Sequence, residues 1–298
     1  MRRKFMTLDV FTRTRFAGNP LALVLDAQGL DTAAMQTIAR EFSHPETVFV
    51  LPPEIGAHRA RLRIFTPASE LPFAGHPTVG AAVGLARLAG GAGQQSFVLE
   101  ENIGPVSCTA QAHDADSGRA EFKLPRLPSD VGEVPDAAAM AAALGLSESD
   151  VGGDYPLARW SAGVAFTFVP VRSLAAVARA RPEPATFEKV FGASGPAMVY
   201  VMCTQSAEPG HHLHARMFAP SRGIAEDPAT GSAVAAFAGL HAAHRKPGDG
   251  EHRLVIEQGY EMGRPSLMNL SLTIAQGALT AASIGGDAVV VTEGVIEA

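Results

Sequence analysis

Two residues of reactive type stand directly before a proline at the start of a helix-like segment. His76 precedes Pro77, and Asp227 precedes Pro228. Proline is favoured at the first helical position, so this spacing predicts that His76 and Asp227 are N-cap residues. The N–H groups at a helix start are unpaired and carry the positive end of the helix dipole, which suits a carboxylate. Both positions are therefore candidates for binding and polarising a small acidic ligand.

The neighbours of these two residues extend the candidate site. Gly75, Gly231 and Ser232 flank them and offer backbone N–H or hydroxyl donors to an anionic group. Asn19 lies in a Gly-Asn-Pro segment and is either a turn residue or a pocket donor, of which the turn is the simpler interpretation. Capping alone would explain an aspartate before a proline. Histidine is not a favoured N-cap, and its role stays open between a structural hydrogen bond and a site function.

Other reactive side chains do not form a recognisable motif. His211, His212 and His214 lie close together, and in a strand His212 and His214 share a face, but no third metal ligand is indicated. The sequence contains no GxxxxGK[ST] motif, so we do not expect a nucleotide, and it contains no GxSxG or HExxH motif either. Cys108 and Cys203 are far apart and lack metal or redox spacing, which favours a reducing cytoplasm.

Composition narrows the class of protein. The 298 residues are 47% hydrophobic and 18% charged, which is typical of a globular protein with a substantial core. The net charge is −6 and no long basic stretch occurs, so nucleic acid is not an expected partner. The first residues lack the apolar stretch of a signal peptide, and no segment is apolar enough to span a bilayer. We therefore expect a cytoplasmic protein without a membrane partner.

Strand-like segments predominate along the chain. Helices are predicted over 31–42, with Asp31 as N-cap, and over 77–89 and 228–243, with a shorter one near 136–145. Strands and helices do not alternate in the regular βαβ order of a doubly wound sheet. This arrangement favours an α+β fold.

An internal repeat predicts two related domains. Residues 63–86 resemble residues 215–238, and the repeat aligns His76 with Asp227. Each copy reads strand, proline-containing loop, polar residue, proline and helix. Both helices are apolar or small on nearly all sides, so each should be buried within its own domain. The polar segment near 115 predicts a domain boundary there. A pseudo-twofold axis could then bring the two helix starts together across a cleft.

Several longer segments resemble the phenazine-biosynthesis-F-like (PhzF-like) isomerase family, which is related in fold to diaminopimelate epimerase and proline racemase. They are residues 9–27, 35–50, 63–78 and 216–233, together with the IGGDAVVVTEG ending. The resemblance implies two pseudo-symmetric domains, each a barrel-like, mostly antiparallel sheet around a central buried helix. The first would consist of residues 1–115 with the C-terminal strand 280–298, and the second of residues 116–279. It also implies an active site between the domains and no cofactor. We further expect a homodimer.

The resemblance also implies a mechanism. The related epimerases use two cysteines at the helix starts, but neither FAGHP nor EDPATGS contains one. A single carboxylate acting as both base and acid is the alternative in these families, and the matching residue is Glu46. His76 and Asp227 would hold and polarise the substrate. His44-Pro45 replaces the Leu-Ser-like pair that usually precedes this glutamate, which leaves the substrate preference open.

The function implied is the relocation of a proton and a double bond on a small carboxylated metabolite. The reference substrate of the family is trans-2,3-dihydro-3-hydroxyanthranilate. One alternative is an epimerase, racemase or dehydratase that acts at an α-carbon without thiols. A second is a non-catalytic binding protein that has kept the fold.

Overall fold

The computed structural model describes residues 1–90, 93–192 and 197–298. These residues form two compact units, one of Met1–Pro125 with Ile284–Ala298 and one of Arg126–Ser283. The helices are α1 (Thr32–Phe42), α2 (Gly75–Ala89), α3 (Ala137–Ala143), α4 (Leu174–Arg179), α5 (Pro184–Phe191) and α6 (Gly231–Arg245). The strands are β1 (Arg2–Val10), β2 (Asn19–Val24), β3 (Glu46–Leu51), β4 (Ala60–Phe65), β5 (Glu70–Leu71), β6 (Gln95–Glu101), β7 (Gly104–Ala112), β8 (Ser117–Lys123), β9 (Ser129–Asp130), β10 (Ala158–Ser161), β11 (Ala165–Pro170), β12 (Val199–Cys203), β13 (Leu213–Ala219), β14 (Ile224–Asp227), β15 (Gly250–Gln258), β16 (Ser266–Ala275) and β17 (Ala278–Glu297).

Eight strands of the first unit form a closed barrel within the described residues. Their order around the ring is β17, β1, β2, β3, β4, β6, β7, β8 and back to β17. The β2–β3 and β4–β6 pairs are parallel, and most of the others are antiparallel. Closure leaves the ring without an unpaired edge. The expected α+β fold with a barrel-like sheet is confirmed.

Helix α2 lies inside this barrel. Its first twelve residues, Gly75 to Ala86, are all buried, and it packs mainly against β7, β8, β1 and β2. Small side chains allow this close approach, because a Cβ atom added to Gly80 would lie only 2.5 Å from Leu21 Cδ2. The predicted burial of the central helix is therefore correct. On the outside of the unit, Asp31 accepts a hydrogen bond from the Ala34 N–H and caps α1, as predicted.

The second unit has its own sheet and core. Its strands pair in the order β9, β10, β11, β12, β13, β15 and β16, and β14 adds to β13. Helix α6 is buried for most of its length and packs against β10, β16 and β11. A second apolar cluster unites α3, α4 and α5 with β12, and its largest members are Met140, Leu144, Phe187 and Phe191.

The divisions between the units fall after Pro125 and Ser283, whereas the sequence places them near 115 and 280. The polar segment near 115 is the turn between β7 and β8. Because β8 pairs with β7 over Cys108 to Ala112, it stays with the first unit. A polar composition therefore marks a hairpin turn here.

Both central helices begin at residues other than those predicted. Helix α2 begins at Gly75 with Ala74 as N-cap, so the prediction that His76 is the N-cap is wrong. Pro77 fits at the third position because the first four N–H groups of a helix have no intrahelical partner. Helix α6 begins at Gly231 with Thr230 as N-cap. Asp227 is likewise not an N-cap, because pairing with Met217 keeps it in β14.

Candidate functional site

Glu46 and His76 form a buried pair in the first unit. Glu46 is the first residue of β3, and His76 is the second residue of α2. The His76 Nε2 and Glu46 Oε2 atoms are 3.3 Å apart, and the side chains are only 6% and 14% exposed. The barrel therefore brings together a carboxyl and an imidazole from segments that lie thirty residues apart in the chain.

The surroundings of His76 fix its charge and its tautomer. Burial lowers the pKa of His76 to about 3, a backbone hydrogen bond with Pro20 opposes the shift, and His44 adds to it. Proline has no N–H, so the imidazole must donate to the Pro20 carbonyl oxygen. Nε2 faces Glu46 without hydrogen-bond geometry, which leaves Nδ1–H as the donor. His76 is thus neutral near pH 7, with the Nε2 lone pair directed towards Glu46.

Asn19 lies next to this pair but not in a turn. It is the first residue of β2, fully buried, and it pairs with Val10 of β1. The turn interpretation is wrong because the β1–β2 ladder includes this position. The register of β2 with β3 sets Leu21 opposite Glu46, which brings the Asn19-Pro20 segment alongside the site.

The start of α2 adds backbone donors. Gly75 is the first helical residue and is buried, and the N-cap Ala74 has no side-chain oxygen to accept from the N–H groups of the first turn. Such N–H groups suit a carboxylate or another anion. Gly75 therefore stays a candidate substrate-binding residue beside His76.

Asp227 belongs to a separate polar group in the second unit. The Thr230 hydroxyl donates to Asp227 Oδ2 over 2.5 Å. The Gln258 amide donates to the Asp227 carbonyl oxygen over 2.7 Å and to Thr230 Oγ1 over 2.9 Å. Gly231 and Ser232 follow as the first two residues of α6. The predicted residues Asp227, Gly231 and Ser232 are thus adjacent in the folded chain.

Several residues of these groups were not predicted. Thr230 could have been predicted, because it lies in the DPATGS motif three residues after Asp227 and carries a hydroxyl. Gln258 and Pro20 have no sequence signal, since each acts through a contact made by the tertiary fold. Tyr200 is fully buried, its hydroxyl has no hydrogen-bond partner in the described residues, and burial together with Asp227 raises its pKa.

The histidine cluster is organised around a carboxylate. His211 Nδ1 lies 2.6 Å from Glu257 Oε1, and His214 Nδ1 lies 2.7 Å from Glu257 Oε2. His214 Nε2 contacts Glu261 over 2.9 Å. His212 instead accepts from the Val255 N–H, because β13 begins only at Leu213, so the predicted face shared by His212 and His214 is wrong. In the part of the chain that the structure describes, no group of three or more His, Cys, Asp or Glu side chains is arranged to hold a metal ion.

Two further expectations concern the cysteines and the membrane. Cys108 lies within β7 and Cys203 ends β12, and both are buried free thiols whose pKa is raised, chiefly by burial. Neither is part of α2 or α6 or of the residues that precede them. None of the helices in the described ranges has both the length and the apolar composition needed to cross a bilayer.

The fold defines a class of α+β proteins in which strands enclose a buried central helix, and the first unit adds a buried carboxyl–imidazole pair at the helix start. The sequence profile of the family described as "Phenazine biosynthesis-like protein" matches residues 8–294, so the chain belongs to this family. The predicted family resemblance is therefore confirmed.

Individual relatives agree with this assignment. The chain is 49% identical to an uncharacterized isomerase of Mesorhizobium japonicum over 98% of each chain. It is 33% identical to the trans-2,3-dihydro-3-hydroxyanthranilate isomerase of Pseudomonas aeruginosa, also over 98% of each chain. Among solved structures, it is similar to a PhzF-family phenazine biosynthesis protein of Bacillus anthracis, with a TM-score of 0.90, 27% identity and coverage of 100% of each chain.

Proposed function

We propose that this protein is a cofactor-independent isomerase that relocates a proton and a double bond on a small carboxylated metabolite. The observation that carries the proposal is the buried contact between Glu46 Oε2 and His76 Nε2. Names of relatives support the reaction class, since the Mesorhizobium and Pseudomonas proteins are both called isomerases. In this proposal Glu46 is the general base and the general acid.

The neutral charge of His76 supports the role of Glu46 as both general base and general acid. The lone pair of a neutral Nε2 is repelled by an ionised carboxylate and accepts a hydrogen bond from a protonated one. His76 therefore favours the form of Glu46 that holds the transferred proton. A group that must store a proton between its removal and its return needs such stabilisation of the acid form.

The proposed reaction is balanced without a redox partner. Ionised Glu46 removes a proton from one carbon, and the electron pair of the broken C–H bond forms a new C=C bond. The electrons of the original double bond shift to a second carbon, which takes the proton back from Glu46. The step needs no oxidant or reductant.

We assign the remaining site residues to substrate binding. Asp227 and His76 hold and polarise the substrate, and the N–H groups of Gly75 and Gly231 with the Ser232 hydroxyl bind its carboxylate. Asn19 contributes a buried amide beside Pro20. A carboxylate-bearing substrate is the choice that makes use of these donors.

His44 is the residue near the Glu46–His76 pair that bears most directly on substrate preference. His44 stands two residues before Glu46, stacks on Phe42 at a ring distance of 6.3 Å, and lowers the pKa of His76. It therefore changes the polarity around the pair relative to the Leu-Ser-like segment usual in the family. The compound named for the Pseudomonas relative, trans-2,3-dihydro-3-hydroxyanthranilate, is the first one to test.

The experiment is incubation of the purified protein with this compound in D₂O, followed by NMR. We expect conversion with deuterium incorporation, and in Glu46→Gln a loss of about 100-fold or more, the usual contribution of a general acid–base group. Glu41→Gln is the matched control, because Glu41 is an exposed carboxylate five residues away. Conversion that survives in Glu46→Gln would refute the role of Glu46.

Other outcomes separate the alternatives. Deuterium at an α-carbon with inversion or loss of water would instead identify an epimerase, racemase or dehydratase. If wild type is inactive, small carboxylates are screened for deuterium exchange. Absence of exchange across that screen, with tight binding of one compound by both wild type and Glu46→Gln, would identify a binding protein.

A further inference from the structure

A second carboxyl group lies behind the helix turn that carries His76. Glu101 is the last residue of β6, and it is only 6% exposed. Its Oε1 atom is 2.7 Å from the hydroxyl oxygen of Thr78, the fourth residue of α2. Its Oε2 atom is buried and has no hydrogen-bond partner in the described residues. The proposed reaction makes no use of this group.

The hydrogen bonds that Thr78 can make depend on the charge of Glu101. The Thr78 hydroxyl oxygen is 2.8 Å from the Ala74 carbonyl oxygen and 2.7 Å from Glu101 Oε1. A hydroxyl has one hydrogen, and a carbonyl can only accept. An ionised Glu101 accepts this hydrogen from Thr78. A protonated Glu101 can itself donate to Thr78, which leaves the hydroxyl hydrogen free for the Ala74 carbonyl oxygen. The single hydrogen of Thr78 is therefore placed to follow the protonation state of Glu101.

The electrostatic surroundings favour the neutral form near pH 7. Burial raises the pKa of Glu101 to about 8, although the hydrogen bond that the ionised form accepts from Thr78 opposes the shift. Among the described residues no basic side chain forms an ion pair with Glu101. Arg61 on the neighbouring β4 instead pairs with Glu54. The titratable neighbour on β7 is Cys108, whose thiol is itself held neutral by burial and by Glu101.

Glu101 reaches His76 through the first turn of α2. Ala74 and Thr78 stand two residues before and two residues after His76, and their hydrogen bond closes this turn. If Glu101 ionises, the Thr78 hydrogen must turn from Ala74 to the new carboxylate. The turn then loses its side-chain hydrogen bond, and a buried negative charge appears beside it. The other charged or titratable groups facing His76 are Glu46 and His44.

We propose that Glu101 is a positioning residue whose protonated form fixes the turn of α2 that presents His76 to Glu46, so that loss of its proton disturbs the site. The importance of His76 rests on the proposed function, but the coupling between Glu101 and His76 does not. Activity is then expected to fall with rising pH as Glu101 ionises, although Glu101 touches no substrate.

The test compares wild type with Glu101→Gln. The glutamine amide keeps the shape of the acid and a donor towards Thr78, but it cannot ionise. Glu100→Gln is the matched control, because it removes a carboxylate from the adjacent position of β6, whose partners are Glu54 N–H, Ile55 N–H and His58. The readout is the ¹⁵N NMR spectrum of labelled histidine between pH 6 and 9.5, with the His76 signal assigned by its loss in His76→Gln.

We expect the His76 ring signals to shift with a midpoint near pH 8 in wild type and in Glu100→Gln, and to stay constant in Glu101→Gln. An unchanged titration in Glu101→Gln would overturn the proposal, as would a flat wild-type signal. If Glu101→Gln does not fold, Thr78→Val replaces it, since it keeps the carboxyl but removes the connection. A full wild-type titration of His76 in that variant would also refute the coupling.

The activity measurement separates this proposal from the proposed function. If wild type shows isotope exchange, its alkaline loss of rate near pH 8 should disappear in Glu101→Gln. If wild type shows no exchange with any small carboxylate, the proposed function fails. The histidine spectra still decide whether Glu101 controls the turn.

Discussion

At the residue scale, Glu101 and Glu257 show how neighbours decide the charge of a buried carboxyl. Glu101 has one hydroxyl neighbour, and burial raises its pKa to about 8. Burial acts in the same direction on Glu257, but hydrogen bonds from backbone N–H groups and from His214 and His211 outweigh it and lower the pKa. Two carboxyls near the ends of strands therefore carry different charges near neutral pH because their donors differ.

The Glu257 cluster makes the stability of the protein depend on pH. Burial opposes the charge of His214, but its hydrogen bonds with Glu261 and Glu257 prevail and raise its pKa. The resulting stabilisation is complete below the ordinary histidine pKa and is lost as pH rises through the raised value. We expect the difference in unfolding free energy between wild type and His214→Gln to decrease from pH 6 to 9, by about 1.4 kcal/mol for each unit of pKa shift.

Denaturant titration at each pH measures this difference. His252→Gln is the control, because the His252 ring contacts the Gly248 carbonyl oxygen in the same unit. A difference between wild type and His214→Gln that is constant with pH would contradict the assignment of the charge to His214.

The sequence can nominate candidate site residues where a motif marks them. Glu46, His76 and Asp227 are candidates because they lie in segments whose order along the chain matches the family. Glu101 follows another glutamate in an ordinary hairpin, so nothing in the sequence distinguishes it. Its burial and its contact with Thr78 exist only once the barrel has closed around α2.

At the scale of elements, the buried central helices were predictable and their first residues were not. Small and apolar residues on all sides predict burial for α2 and α6, and both are buried. The proline rule misplaced their starts because proline is tolerated anywhere in a first turn. The start of α6 also depends on Gln258, whose side-chain oxygen accepts from the Thr230 N–H. Thr230 and Gln258 are 28 residues apart, so no local sequence pattern predicts this hydrogen bond.

The fit of α2 within its barrel should be sensitive to a single methyl group. A Cβ atom at Gly80 would lie 2.5 Å from Leu21 Cδ2 and 2.8 Å from Val10 Cγ2. Although alanine favours a helix over glycine, overpacking should dominate. We expect Gly80→Ala to lower the unfolding free energy by about 1–3 kcal/mol, measured by urea denaturation.

Gly56→Ala is the control for this substitution, because nothing lies within 4 Å of a Cβ atom added there. It should leave the unfolding free energy nearly unchanged. Equal stability of Gly80→Ala and wild type would mean that the strands around α2 can move apart without cost.

At the scale of the whole molecule, the first unit is built from both ends of the chain and the second from one continuous segment. The repeat predicts two related halves and the polar turn suggests a boundary, but pairing of β8 with β7 moves that boundary. β17 pairs with β1 over the full length of β1, from Arg2 with Glu297 to Val10 with Ala288. Removal of this strand would open the barrel and leave β1 paired only with β2 and β8 paired only with β7.

A chain that ends after Asp287 should therefore lose protection in the first unit selectively. We expect amide hydrogen exchange in β1 to become much faster, because its partners in β17 are residues 288–297, while β12 and β13 keep their wild-type rates. Mass spectrometry of peptic fragments measures both regions at once. Deletion of Ala298 alone is the control, since it removes one hydrogen bond, to the Met1 carbonyl oxygen. Unchanged exchange in β1 of the longer deletion would show that the barrel does not need its eighth strand.

The position of β17 also sets the order of events on the ribosome. Residues 126–283 leave the ribosome as a continuous segment, so the second unit can fold during translation. The first unit is translated earlier but still lacks one barrel strand until the residues from Ile284 onwards have emerged. Domains usually fold in the order of their synthesis. For this protein we expect the reverse, with the edges of β1 and β8 exposed until β17 has left the ribosome.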